Sequence, residues 1–271
     1  MSTAEASIPP SLINVKALLF DVFGTVVNWR STVHAELVKR AREKLSSPGS
    51  LSEPLRARLQ KITDDDDWAR FAQEWRNSYG KFTRTFVPGQ TPWKDIDTHH
   101  HDSLLELLEA WSIRAAYTET EVRSLSLIWH YLAPWPDSSA GLAKLGTAYT
   151  TATLSNGNQA LLRDLDETGQ LGFQHLISSA DFGAYKPHPK TYLGAAAKLG
   201  LRPDECALVA AHLGDLQAAK SHGFGAVYVE RPREEAFSPQ EVEEARGWVD
   251  LWVAEGEGGF VEVARRLGIS N

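Results

Sequence analysis

Short apolar runs and long stretches of helical spacing divide this chain into two zones. The runs at residues 15–20, 148–154, 175–178, 207–210 and 226–229 are short and bounded by turn or polar residues, as strands buried on both faces are. Residues 248–253 fit a late strand. Helical spacing fills the gaps, at 159–168, 189–199 and 216–222, with a closing stretch at 258–267. Strand and helix in alternation predict a parallel sheet with helices on both faces. The second zone lies between the first two strands. There, residues 32–45, 51–62, 68–79, 97–111 and 119–131 show helical periods and few strand signals. Pro134 and Pro136 break the last of these and mark a return to the first zone. The expected fold is α/β: a doubly wound parallel sheet, a Rossmann-like core, with an inserted helical cap. The expected boundaries are a flexible leader at 1–12, a core at 13–30 and 133–271, and a cap at 31–132.

Composition narrows the function classes. The chain has 271 residues, enough for a core plus an insertion, with 42% apolar and 23% charged residues. A net charge of −7 argues against nucleic-acid binding through a basic surface. No apolar run is long enough to predict a membrane span, and no charged-then-apolar pattern suggests a signal peptide. Cys206 stands alone, which removes an internal disulfide and a thiol metal cluster and suits a reducing, cytoplasmic setting. The oligomeric state stays open, a homodimer included.

The chemistry gathers at predicted strand ends. The first strand closes on Asp21-Val22-Phe23-Gly24-Thr25. In an open α/β sheet, ligands bind beyond the carboxyl ends of the strands. A carboxylate there can attack an electrophilic centre and form an ester, although an Asp also starts turns and caps helices. A second strand ends in Ser155-Asn156-Gly157. Lys186-Pro187 precedes a helix start, and the strand at 207–210 runs on through Ala211-His212-Leu213-Gly214 to Asp215.

This order of Asp, Ser-Asn, Lys-Pro and Gly-Asp resembles the haloacid dehalogenase superfamily of hydrolases, over residues 15 to about 232. The phosphatases of that superfamily carry a second Asp two residues after the nucleophile, as general acid. Phe23 occupies that position here and cannot protonate an alkoxide, whereas a halide leaves without a proton. The phosphatase pattern also has a second acidic magnesium ligand where this chain has Ala211. The site is therefore expected to need no metal and no other cofactor. Lys186 would be the counter-charge of Asp21 and Asp215. Within the helical zone, Trp75-Arg76 with a nearby Tyr79 resembles the L-2-haloacid dehalogenases, whose cap arginine receives the halide. Arg76 matches that arginine, and a planar guanidinium suits both a carboxylate and a halide. A surface arginine is the bland alternative. Tyr192 also matches a site tyrosine of that subfamily, but it equally suits packing on the sheet.

The resemblance implies hydrolytic dehalogenation of small L-2-haloacids through an aspartyl ester. Asp21 would be the nucleophile, with Lys186, Asp215, Thr25, Ser155 and His212 as further catalytic residues. Arg76, Asn156, Val22, Phe23 and Tyr192 would bind substrate or halide. The alternatives are a phosphatase-type hydrolase and a non-catalytic member with the same fold. The chain departs from the dehalogenase pattern at Phe23, Ala210, His212 and Gly214. His212 has two open roles: a base for the hydrolytic water, or a neutral hydrogen-bond donor to Asp21.

Other features are expected to be structural. The acidic run at residues 64–67 suits a helix N-terminus. His99, His100 and His101 cannot share one tetrahedral ion, because adjacent helical residues point apart.

Overall fold

The computed structural model describes residues 8–47, 49, 51–62 and 65–269. Residues 1–7 of the expected leader, and Asp64 of the acidic run, lie outside the described residues. The rest of that leader departs from expectation. Pro10–Leu12 forms a 3-10 turn, and Leu12 is buried against Gly225. An apolar side chain placed beside the sheet packs on it, so the core begins before residue 13.

Two compact units divide the chain. One runs up to Asn28 and resumes at Ala133; the other is Trp29–Leu132. Trp29 and Arg30, expected in the core, belong to the helical unit, where Trp29 is buried and stacks on Trp129 at 6.0 Å.

The first unit is built on a parallel five-stranded sheet in the order β2-β1-β3-β4-β5. Its strands are β1 (Ala17–Phe20), β2 (Thr150–Thr153), β3 (Cys206–Ala210), β4 (Gly225–Val229) and β5 (Leu251–Val253). Every residue of β1, β3 and β4 is buried, which explains why their sequences are continuously apolar rather than alternating. β1 pairs with β2 on one side and β3 on the other, with Phe20 opposite both Thr153 and Val209. The chain thus reverses its winding direction at β1, and the crevice beyond the carboxyl ends at such a reversal is where open α/β sheets bind ligands. Asp21 follows β1 directly.

Three elements of this unit differ from expectation. Residues 175–178 make only isolated bridges, Ala152 with His175 and Ser155 with Ser178. The Thr153 hydroxyl accepts the Ile177 N–H at 2.8 Å, taking the place of a ladder carbonyl. Two helices were not foreseen, Ser138–Leu145 and Pro239–Ala245. The second starts with a capping box between Ser238 and Glu241, a signal that was present in the sequence.

The helical unit contains α1 (Trp29–Ser46), α2 (Glu53–Gln60), α3 (Asp65–Thr85), α4 (Ile96–Ala110) and α5 (Glu119–Ser126), and the first unit carries α6 (Ser138–Leu145), α7 (Gln159–Gly169), α8 (Pro189–Lys198), α9 (Leu213–Ser221), α10 (Pro239–Ala245) and α11 (Gly259–Arg266). The stretch expected as one helix at 119–131 tightens into a 3-10 turn over Leu127–Tyr131. The α3 stripe of Trp68, Phe71, Ala72, Trp75 and Tyr79 is buried, as its spacing demands. Trp75 packs edge-on to Trp129 at 5.4 Å, and His100 stacks on Trp129 at 4.5 Å. Burial holds both His99 and His100 below the ordinary histidine range, His99 at about 4. These histidines are packing residues. Among the described residues, no helix is long and apolar enough to cross a membrane.

Candidate active site

The site in the first unit is built from the ends of β1 and β3, the loop before α8 (Pro189–Lys198), the start of α9 (Leu213–Ser221) and the loop after β4. The backbone N–H of Asp21 bonds the Val209 carbonyl at 3.0 Å, so the sheet ladder itself fixes the base of this side chain. Its carboxylate is nearly enclosed, with 7% of the residue exposed. Oδ1 accepts the Lys186 ammonium at 2.8 Å. Oδ2 accepts the Thr25 hydroxyl at 2.7 Å and faces His212 Nδ1 at 2.9 Å. The Thr25 hydroxyl accepts in turn from the Ala211 N–H at 2.9 Å, which orients its own proton toward Asp21.

Lys186 bridges two carboxylates, lying 2.5 Å from Asp215 Oδ2 as well as 2.8 Å from Asp21. At 4 Å and an effective dielectric of about 20, two like charges repel by roughly 4 kcal/mol, and an ammonium between them removes that penalty. Burial favours a neutral Asp21. The charge of Lys186 and the contact with His212 overcome this and hold the carboxyl far below the usual range. Burial likewise opposes the charged Lys186, and its two carboxylates hold it above the usual lysine range. The surroundings of Asp21 thus favour its ionised form.

Several expected site residues have other partners. Tyr192 is fully buried, and its hydroxyl donates to Asp215 Oδ1 at 2.6 Å. It orients Asp215 within the site. Asn156 Oδ1 accepts the Lys186 backbone N–H at 2.7 Å, so this side chain sets the position of the lysine. The Ser155 hydroxyl accepts the Gly157 N–H at 3.2 Å and shapes that turn. Val22 and Phe23 are buried, and Phe23 packs against Gly157. Arg76 lies on α3 in the helical unit, its guanidinium 4.5 Å from the Tyr79 ring centre and 5.8 Å from that of Trp29.

His212 has a second partner that the sequence did not show. Its Nε2 lies 3.5 Å from Glu234 Oε2, so each ring nitrogen faces a carboxylate. Burial disfavours the charged ring, but the bonds to Asp21 and Glu234 outweigh it and raise the pKa to about 9. The two carboxylates favour a ring protonated on both nitrogens at neutral pH.

Glu234, Glu235 and Arg231 escaped the sequence reading. Arg231 donates to the Thr25 carbonyl at 3.0 Å and grips Asp137 at 2.6 and 2.8 Å. Glu235 accepts the Leu213 N–H at 2.8 Å, at the start of α9. Their only signal was position, an acidic pair just beyond the carboxyl end of a strand. Among the described residues, no group of three or more His, Cys, Asp and Glu is arranged to hold a metal ion.

Known proteins share this arrangement of chain and sheet. (S)-2-haloacid dehalogenase 1 of Pseudomonas sp. (strain CBS-3) is 30% identical over 237 residues, covering 83% of this chain and 90% of that protein. A solved L-2-haloacid dehalogenase, PA0810, is 33% identical and superposes with a TM-score of 0.77 over 94% of this chain and 100% of its own. A glyceraldehyde 3-phosphate phosphatase of Methanopyrus kandleri (strain AV19) also matches, at 24% identity over 232 residues, 83% of this chain and 88% of that protein. The model of the haloacid dehalogenase-like hydrolases matches residues 15–223, a span that holds Asp21, Asn156, Lys186 and Asp215. With an aspartate at the switch point of the sheet and a lysine between it and a second aspartate, this chain belongs to the haloacid dehalogenase-like hydrolases.

Proposed function

We propose that this protein hydrolyses small L-2-haloacids, without a metal, through an ester on Asp21. The observation that carries the reading is an ionised, lysine-paired Asp21 followed by Phe23 where a phosphatase would need an acid. The similarity to L-2-haloacid dehalogenases over most of the chain supports it. The phosphatase relative keeps the rival reading in view, but Phe23 and Ala211 offer neither a proton nor a metal ligand. A cytoplasmic setting, and a small haloacid as the substrate, belong to the same reading.

In this mechanism an oxygen of Asp21 attacks the carbon bearing the halogen, from the side opposite the halide. The carbon–halogen bond breaks and its electron pair leaves with the halide. The amide NH2 of Asn156 receives the anion, its oxygen being occupied by Lys186; the resemblance gives Arg76 a halide-binding role as well. Ser155, Thr25 and the backbone after Asp21, at Val22 and Phe23, surround the substrate. Water then attacks the carboxyl carbon of Asp21 and releases the 2-hydroxy acid. Covalent catalysis divides one difficult displacement into two easier steps.

Halide release across a panel of 2-haloacids, with and without excess EDTA, tests the class. We expect release from L-2-chloropropionate that neither EDTA nor added magnesium changes. A single turnover in heavy-oxygen water should place the label in Asp21. Label found first in the product, or a strict magnesium requirement, would overturn the proposal.

A further inference from the structure

Two carboxylates hold one imidazole beside the nucleophile. His212 Nδ1 lies 2.9 Å from Asp21 Oδ2 and Nε2 lies 3.5 Å from Glu234 Oε2. An ionised carboxylate accepts hydrogen bonds and donates none, so a neutral ring would turn a lone pair toward one of them. The arrangement suits a ring that donates on both sides. Glu234 can stand there because residue 24 lacks a side chain: a Cβ on Gly24 would overlap Glu234 Oε2. Its loop is pinned on both flanks, by Arg231 on the Thr25 carbonyl and by Glu235 on the Leu213 N–H. A carboxylate buried this deeply, at 4% side-chain exposure, is held for a reason that nucleophilic attack by Asp21 does not supply.

The two oxygens of Asp21 are held differently. Oδ1 meets the Lys186 ammonium, whereas Oδ2 meets two donors, the Thr25 hydroxyl and His212. The oxygen with two donors is the less nucleophilic, which leaves Oδ1 to attack and Oδ2 as the carbonyl oxygen of the ester. We propose that Glu234 is a positioning residue: it fixes His212 so that His212 and Thr25 form the donor pair that receives the negative charge on Asp21 Oδ2 when water attacks the ester.

This inference rests on the dehalogenase reading. In the step, the water oxygen bonds to Cγ of Asp21 and the carbonyl π pair moves onto Oδ2. On collapse the Cγ–Oδ1 bond breaks. One proton of the water ends on the departing oxygen of the 2-hydroxy acid. The other leaves for solvent as the carboxylate re-forms beside Lys186. His212 keeps its proton throughout. Preorganised donors of this kind are worth about 10²–10³-fold each.

The test uses Glu234→Gln and Glu234→Ala in the full chain, with L-2-chloropropionate. Each variant should release about one halide per active site in a burst and then turn over at least about tenfold more slowly than wild type. Intact-protein mass should show the ester accumulating on the Asp21 peptide. His212→Gln keeps an amide donor toward Asp21 but has no ring for Glu234 to orient, so adding Glu234→Ala to it should change the rate by less than about twofold. Equal losses in both backgrounds, or wild-type ester breakdown in the Glu234 variants, would overturn the proposal. Nitrogen NMR of His212 supplies a reading independent of turnover. Wild type at neutral pH should show both ring nitrogens protonated, and Glu234→Gln should lose one of those protons; a singly protonated wild-type ring rejects the pairing. If wild type releases no halide from any 2-haloacid, the dehalogenase reading fails, and the ring spectrum still decides whether Glu234 holds His212.

Discussion

At the scale of single residues, the site is a chain of alternating charges: Glu234, His212, Asp21, Lys186 and Asp215. Each cation lies between two anions, so no carboxylate is buried alone. The pairing makes stability depend on pH in a defined direction. His212 has a folded pKa of about 9 against an ordinary 6.5. A raised pKa means that the folded state binds the proton more tightly than the unfolded chain. The contribution of His212 is therefore complete below about pH 6.5 and is lost as pH rises through about 9. The groups that face the ring are Asp21 and Glu234, with Lys186 and Asp215 beyond. Urea unfolding at several pH values should show wild type losing stability between pH 6.5 and 9 more than His212→Gln does. Parallel curves would mean that the ring is neutral in the folded state. His212 was visible in the sequence as a departure from the dehalogenase pattern. Its charge was not, because that comes from Glu234.

Elements set the geometry through their ends. The turn after β1 carries Gly24 at φ +87°, a left-handed conformation that suits glycine, and Glu234 fills the space where a side chain would be. Gly24→Ala should therefore cost about 1–2 kcal/mol in backbone strain and displace Glu234 as well. Chemical denaturation reads the first effect, and slowed ester breakdown with a retained halide burst reads the second. Wild-type behaviour in both would show that the turn relaxes freely. On α3, Trp75 and Phe71 are fully buried while Arg76 lies over the Tyr79 ring. The helix thus uses its apolar stripe for packing and carries a guanidinium at the neighbouring position. Arg76→Lys keeps the charge but loses the planar fork. If Arg76 receives the halide, halide release should fall by about tenfold or more, since charge-assisted bidentate bonds are roughly twice as strong as neutral ones. Unchanged kinetics would make it a structural residue.

Across the whole molecule, the sheet order brings together groups far apart in sequence. Asp21 leaves β1, Asp215 sits in the first turn of α9 after β3, and Lys186 precedes α8. β1 and β3 are direct neighbours, which sets the two carboxylates side by side, and Lys186 joins them. Lys186→Met would leave two carboxylates facing each other without their cation. Breaking a buried pair by removing one partner costs about 3–5 kcal/mol. That loss should be largest at neutral pH. Asp21 is held below its ordinary 3.8, so the stability it draws from the pair is present above that pH and is lost as acid lowers pH through its folded value. Denaturant unfolding of wild type and variant should therefore converge toward acid. A constant difference would assign the loss to packing of the lysine stem.

What the sequence determined by itself is local. Apolar runs placed β1, β3 and β4, because strands buried on both faces carry no polar alternation. Helical spacing placed α3 and its buried stripe, and motif order placed Asp21, Lys186 and Asp215 at element ends. Local signals failed where a side chain intervened in the backbone pattern, as Thr153 does at Ile177. Tertiary structure decided the partners. Tyr192 faces Asp215, Asn156 holds the lysine backbone, and Glu234 reaches His212 across the gap left by Gly24. Hydrogen bonds and charge act over a few ångströms of space, whatever the distance along the chain. Which carboxylate faces which imidazole, and so which groups are ionised, therefore exists only once the strands are in order.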